Sequence, residues 1–127
     1  MPHLGLISVV DDDDSVRNAT TKLLRRDGYS VDSFASAEEF LQSASIDQTR
    51  CLVSDVRMTG LNGLELQASL IAGGHRIPII FLTAFPEDKS RERALAAGAI
   101  CFLAKPFDAE VLIGFIEQAL GGGADVS

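Results

Sequence analysis

Short apolar or β-branched runs alternate along the chain with segments whose apolar residues recur at helical spacing. The runs lie at 6–10, 29–34, 51–54, 78–82 and 100–103. Between them, Val16, Ala19, Leu23 and Leu24 make one helical stripe, and Phe40, Leu41 and Ala44 a second. Leu64, Leu66, Leu70 and Ile71 make a third, and Ala94, Leu95 and Ala97 a fourth. Val111, Leu112, Phe115, Ile116, Ala119 and Leu120 make the fifth and clearest. The punctuation agrees. Asp27-Gly28 ends the first helix, Gly73-Gly74 the third, and Gly98 lies just past the fourth. Ser36-Ala-Glu-Glu39 reads as a capping box that opens the second helix. Pro78 opens a strand, where its missing N–H does least harm. Five strands alternating with five helices predict an α/β fold: a mostly parallel sheet with helices on both faces.

Size narrows this to one compact domain, since 127 residues, 46% of them hydrophobic, suit a single core. The tail Gly121-Gly-Gly-Ala-Asp-Val-Ser127 reads as a helix stop followed by flexible chain. The expected division is therefore a domain over 1–120 and a tail, or the start of a linker to a further domain, over 121–127. No apolar stretch approaches the roughly 20 residues of a membrane span, and no signal peptide opens the chain. The expectation is a cytoplasmic protein that does not contact membranes. A net charge of −7 argues against nucleic-acid binding by this domain, because phosphate backbones need clustered cations. Lys22, Arg25 and Arg26, and Lys89, Arg91 and Arg93, gather on expected helices and read as solvated faces. Cys51 and Cys101 sit inside apolar runs and match no metal spacing, so they read as small buried hydrophobes.

Four consecutive aspartates, Asp11 to Asp14, follow the first run. Adjacent carboxylates repel, so such a run persists only where something offsets the charge. A helix N-terminus offers a few tenths to about 1 kcal/mol per group, and a divalent cation offers far more. The first strand ends in Asp11-Asp12, the third in Ser54-Asp55, the fourth in Thr83-Ala84 and the fifth in Ala104-Lys105-Pro106. In a parallel sheet these ends share one edge, where open α/β sheets bind ligands. Three carboxylates, a hydroxyl and an ammonium then converge, a donor set suited to Mg²⁺ and a dianionic phosphoryl group. Asp13 and Asp14 read instead as the start of the first helix, one of them capping it.

Val9-Val10-Asp11-Asp12, Ser54-Asp55-Val56-Arg57-Met58, Leu82-Thr83-Ala84 and Ala104-Lys105-Pro106-Phe107 together resemble the motif set of response-regulator receiver domains of two-component signalling. The likeness runs from about residue 5 to 120 and is closest to receivers that precede LuxR-type (FixJ-like) DNA-binding domains. It implies a flavodoxin-like, three-layer (βα)5 fold with strand order 2-1-3-4-5. It implies that Asp55 is the phosphoacceptor, attacking a phosphohistidine of a sensor histidine kinase. Asp12 would bind Mg²⁺ (or Mn²⁺) directly and Asp11 through water, with Asp55 and the Arg57 backbone carbonyl as further ligands. Lys105 would hold a phosphoryl oxygen across an expected cis bond to Pro106. Thr83 and Phe102 would be the switch pair, relaying the signal to a surface of the fourth helix, fifth strand and fifth helix. Homodimerisation on phosphorylation is implied there, and Ile113 reads as either surface or core.

Two positions depart from the pattern. The usual proline four residues after the phosphoacceptor is Thr59, which suggests a looser loop and leaves the chemistry unchanged. Phe85, two past Thr83, and Arg57 stand where the family tunes dephosphorylation; a bulky ring there implies exclusion of water and a long-lived phosphoryl group. A rival reading takes Asp12-Asp13-Asp14-Ser15-Val16 as the D-x-D-x-[TV] opening of a haloacid-dehalogenase-type phosphatase, with Thr83 and Lys105 as its later motifs. The paired acids such enzymes need after the lysine are missing, and Asp55 is left unexplained. A binding-only pseudo-receiver is countered by the complete acidic set. His3 and His75 match no ligand spacing, Gly63 reads as a turn residue and Met58 as packing.

Overall fold

The computed structural model describes residues 5–122. Strands β1 (Leu6–Val10), β2 (Ser30–Phe34), β3 (Thr49–Asp55), β4 (Ile79–Thr83) and β5 (Cys101–Ala104) pair in parallel in the order β2-β1-β3-β4-β5. Helices α1 (Asp14–Arg26), α2 (Ala37–Leu41), α3 (Gly63–Ala72), α4 (Asp88–Ala96) and α5 (Ala109–Glu117) alternate with them. The chain runs outward from β1 to β2, then returns past β1 to β3. The strand order therefore reverses between β1 and β3, and the crevice at their carboxyl ends is the place such sheets hold ligands. This is the flavodoxin-like order that the motifs implied.

Side-chain alternation sorts the strands into two cores. Ile7, Val9, Cys51, Val53, Ile80 and Leu82 pack with Leu24 of α1 and with Leu112 and Ile116 of α5. Leu52, Ile79 and Phe81 face the other way, onto Phe40 of α2, Leu66 and Leu70 of α3, and Ala94 of α4. Each fully buried Leu, Ile or Phe contributes roughly 1.5–3 kcal/mol, and burial on both faces explains why the central strands are mostly apolar rather than alternating. Both cysteines lie in the first core. Burial pushes the Cys51 thiol up to about 12 and that of Cys101 to about 11, so neither forms a reactive thiolate at neutral pH.

Several helix positions differ from expectation. Ala19 faces solvent while Thr20 and Thr21 are buried with Leu24. A count of aliphatic residues misses this face because threonine packs through its methyl group. The second helix stops at Leu41, and the exposed Ala44 opens a 3-10 turn, Ala44–Asp47. The Ser43 hydroxyl donates to the Phe40 carbonyl at 2.8 Å, occupying an acceptor that a longer helix would use. Ile71, Leu95 and Val111 belong to apolar stripes yet lie exposed, whereas Ile113 packs against the first core.

Caps also shift. Ser36 Oγ accepts from the Glu39 amide, but Glu39 Oε1 takes the Ala35 amide, so that box is only half closed. A full capping box starts α3: Asn62 Oδ1 accepts from the Glu65 amide at 2.8 Å, and Glu65 Oε1 from the Asn62 amide at 2.9 Å. Beyond α5 the chain continues into a π-helical turn, Gln118–Gly122, past the helix stop expected at Gly121. Residues 123–127 of the expected tail, and His3, lie outside the described residues.

Gly63 is required by close approach rather than by turn geometry. A Cβ there would lie 2.4 Å from the Asp55 carbonyl oxygen and 2.9 Å from Phe81 Cε1. Gly63→Ala is therefore predicted to cost about 1–3 kcal/mol in urea denaturation. A variant as stable as the wild type would contradict this packing.

Candidate functional site

The four aspartates divide into two pairs with different work. Asp11 follows β1 directly and is buried. Its amide donates to the Phe34 carbonyl of β2 at 3.1 Å, and its carbonyl accepts from Arg17 Nη1 at 2.8 Å. Its Oδ1 accepts from the Asp13 amide at 2.9 Å and its Oδ2 from Lys105 Nζ at 3.1 Å. Asp12 is exposed at the mouth of the crevice. Asp13 caps α1, its carboxylate accepting from the Val16 amide at 3.1 Å, and Asp14 pairs with Arg17 one turn on.

Asp55 is the last residue of β3. Lys105 Nζ lies 3.5 Å from its Oδ2, so the one ammonium sits between Asp11 and Asp55. Burial is the strongest influence on Asp55 and raises its pKa above the usual carboxylate value. Lys105 pulls it down, Asp11 pushes it up, and bonds from the Val56 amide and Lys105 pull it down again. Acceptor atoms of Asp11, Asp12 and Asp55 all lie within 4.8 Å of one another. Three carboxylates against one ammonium leave a concentrated negative charge, and a hard divalent cation with oxygen ligands fits that donor set.

Lys105 is tied to β4, its amide donating to the Thr83 carbonyl at 2.7 Å, and the Lys105–Pro106 peptide is cis. Thr83 is buried at the end of β4, and its hydroxyl accepts from the Phe85 amide at 3.1 Å. Phe102 is half-buried, its ring 6.1 Å from that of Phe81 and inclined at 51°. Arg57 and Phe85 meet each other: the guanidinium lies 4.9 Å over the ring and 3.5 Å from Glu87. Phe85 itself is 62% exposed. A groove of about 490 Å³ between α3, α4 and the starts of β4 and β5 lies at the opposite edge of the sheet from these groups.

The loop at Thr59 is tied to the cluster rather than loose. The Thr59 amide and hydroxyl reach Asp12 Oδ2 at 3.0 and 3.3 Å, because the loop after β3 folds back across the crevice. Glu38 was not foreseen at all. Its Oε2 accepts from the Leu61 amide at 3.1 Å and anchors the same loop to α2. Neither contact has a sequence signal, since the partners stand 47 and 23 positions apart.

The fold and site together define a flavodoxin-like, doubly wound domain with a carboxylate cluster at its switch point. The response regulator receiver domain model matches residues 7–117, and the chain belongs to that family. It is 46% identical over 109 residues to nodulation protein W of Bradyrhizobium diazoefficiens, an alignment covering 85% of this chain and 48% of that protein. It is 40% identical over 116 residues to the response regulator protein TodT of Pseudomonas putida, covering 91% and 51%. Among solved structures, FixJ-N superposes with a TM-score of 0.84 at 33% identity over 98% of both chains, and the response regulator StyR with 0.86 at 45% over 94% and 61%. The chain spans about half the length of the curated relatives it matches. It is thus the receiver domain of a two-component response regulator, close to FixJ- and TodT-type regulators. Among the described residues, no helix is long and apolar enough to cross a membrane.

Because Asp55 has its pKa raised by burial, its charge costs stability as pH rises above the unfolded value of 3.8. In protein stripped of divalent cations, Asp55→Asn is predicted to raise stability at pH 7, seen as a higher urea midpoint. The gain should fade at acid pH, where the wild-type carboxyl is protonated in both states. A urea midpoint in EDTA that falls, or stays put, contradicts the stated balance of charges.

Proposed function

We propose that the chain is a phosphorylation-driven switch in which Asp55 takes a phosphoryl group from the phosphohistidine of a sensor histidine kinase. The observation that carries this is the convergence of Asp11, Asp12, Asp55 and Lys105 in the β1–β3 crevice. A carboxylate oxygen of Asp55 attacks phosphorus, the P–N bond to the imidazole breaks, and the histidine leaves while an acyl phosphate forms on Asp55. Like charges oppose the approach. Lys105 meets part of this, its ammonium already within 3.5 Å of Asp55 and placed to receive a phosphoryl oxygen. Asp11, Asp12, Asp55 and the Arg57 carbonyl would hold Mg²⁺ or Mn²⁺, which supplies the remaining charge neutralisation when bound. The domain catalyses only its own phosphorylation and dephosphorylation.

The new group adds about 1.5 to 2 negative charges and three acceptors. Thr83 then exchanges its bond from the Phe85 amide for one to a phosphoryl oxygen, and Phe102 turns into the vacated space. The altered α4–β5–α5 surface promotes homodimerisation, with residues 1–120 as the receiver and 121–127 leading toward a transcriptional output domain. The Arg57–Phe85 stack is read as a lid that slows attack by water on the acyl phosphate.

Intact mass after incubation with acetyl phosphate and Mg²⁺ tests the acceptor. Wild type should gain one phosphoryl group and Asp55→Asn none. Gain by both would move the nucleophile into the Asp11–Asp14 run and favour the phosphatase alternative. For the lid, Phe85→Ala is predicted to lose its phosphoryl group faster than wild type at equal Mg²⁺; an unchanged lifetime removes that role.

A further inference from the structure

Asp12 is the exposed member of the carboxylate cluster, and among the described residues its carboxylate is bonded only by Thr59, 47 positions away. An exposed side chain of this kind rotates freely unless bonded, and ordering it on binding a cation costs entropy. Here the ordering is already done. The Thr59 amide and hydroxyl both donate to Oδ2, and among the described residues the other oxygen accepts no hydrogen bond. With these two bonds in place, Asp12 already offers an acceptor atom within 4.8 Å of those of Asp11 and Asp55. The bonds are therefore made in a conformer that already brings Asp12 into the cluster.

The segment that presents Thr59 is itself fixed. Leu61 is held from below by Glu38, and Asn62 is locked into the capping box that starts α3. Gly60 has φ +81°, and a Cβ there would lie 2.5 Å from Glu38 Oε2, so glycine permits both the turn and the approach of that carboxylate. A loop clamped between Glu38 and α3 delivers two donors to one oxygen of Asp12.

We infer that Thr59 is a positioning residue for the cation site, holding Asp12 in its ligating orientation through its amide and hydroxyl. The inference rests on the cation binding described under Proposed function. Outer-shell donors to ligating carboxylates typically change metal affinity by 10- to 100-fold, and an exposed pair of bonds belongs at the lower end. Proline, which lacks an N–H and a hydroxyl, removes both donors. Valine removes the hydroxyl alone, and serine keeps both.

Calorimetric titration with Mg²⁺, without any phosphodonor, tests this on wild type and on Thr59→Ser, Thr59→Val and Thr59→Pro. Serine should bind as wild type does, valine about threefold and proline about tenfold more weakly. Equal affinities in wild type, valine and proline variants would overturn the positioning role while leaving the cation site intact. A wild type without saturable Mg²⁺ binding would overturn the cation reading and this inference with it. A second measurement needs no metal. Amide hydrogen exchange at Thr59 in EDTA should speed up in Asp12→Ala, and an unchanged rate would overturn the contact on which the role depends.

Discussion

Lys105 is the group on which the rest of the site depends. Its ammonium stands 3.1 Å from Asp11 and 3.5 Å from Asp55, the two carboxylates that the fold buries. Without it the ends of β1 and β3 would bring like charges together out of water, an arrangement that costs several kcal/mol per uncompensated ion. With it the balance is still incomplete, because Asp12 adds a third negative charge nearby. A fold that satisfied every charge would have no affinity for a cation and no use for a phosphoryl group. The residual imbalance is what a divalent cation would offset, and the two hydrophobic cores on either side of the sheet supply the stability that tolerates it.

The site is assembled at four strand ends, and backbone contacts fix three of them. The Asp11 amide bonds to β2, the Lys105 amide to the end of β4, and Gly63 packs against the Asp55 carbonyl too closely for any larger residue. The first and last of these contacts fix the carboxyl edge around β1 and β3. Toward β4 and β5 the attachments are lighter. Thr83 holds the next loop by one bond to the Phe85 amide, and Phe102 is only half-buried. A firmly tied half beside a more lightly tied one is the arrangement that the proposed two-state switch would use.

Much of this was legible along the chain. The apolar and β-branched runs located all five strands to within two residues, most clearly in β4, where burial on both faces demands apolar residues. The convergence of Asp11, Asp12, Asp55 and Lys105 followed from strand direction alone, since parallel strands share one edge. The failures have physical reasons too. Thr20 and Thr21 escaped the core count because a hydroxyl hides a methyl group. Ser43 ended the second helix early by taking its Phe40 carbonyl. Thr59 and Glu38 could not be found at all, because their contacts join loops whose relative placement only the folded chain defines. Asn62-Gly-Leu-Glu65, in contrast, carried a readable capping-box signature that the apolar pattern overshadowed.

The account stands on Asp55 as the residue that carries the phosphoryl group. The most direct measurement is borohydride reduction of the protein after treatment with phosphodonor and Mg²⁺, followed by peptide mapping. Reduction of an acyl phosphate converts aspartate to homoserine, so the account predicts homoserine at position 55 and nowhere else. Homoserine within Asp11–Asp14, or a phosphoryl group that borohydride does not displace, would contradict it.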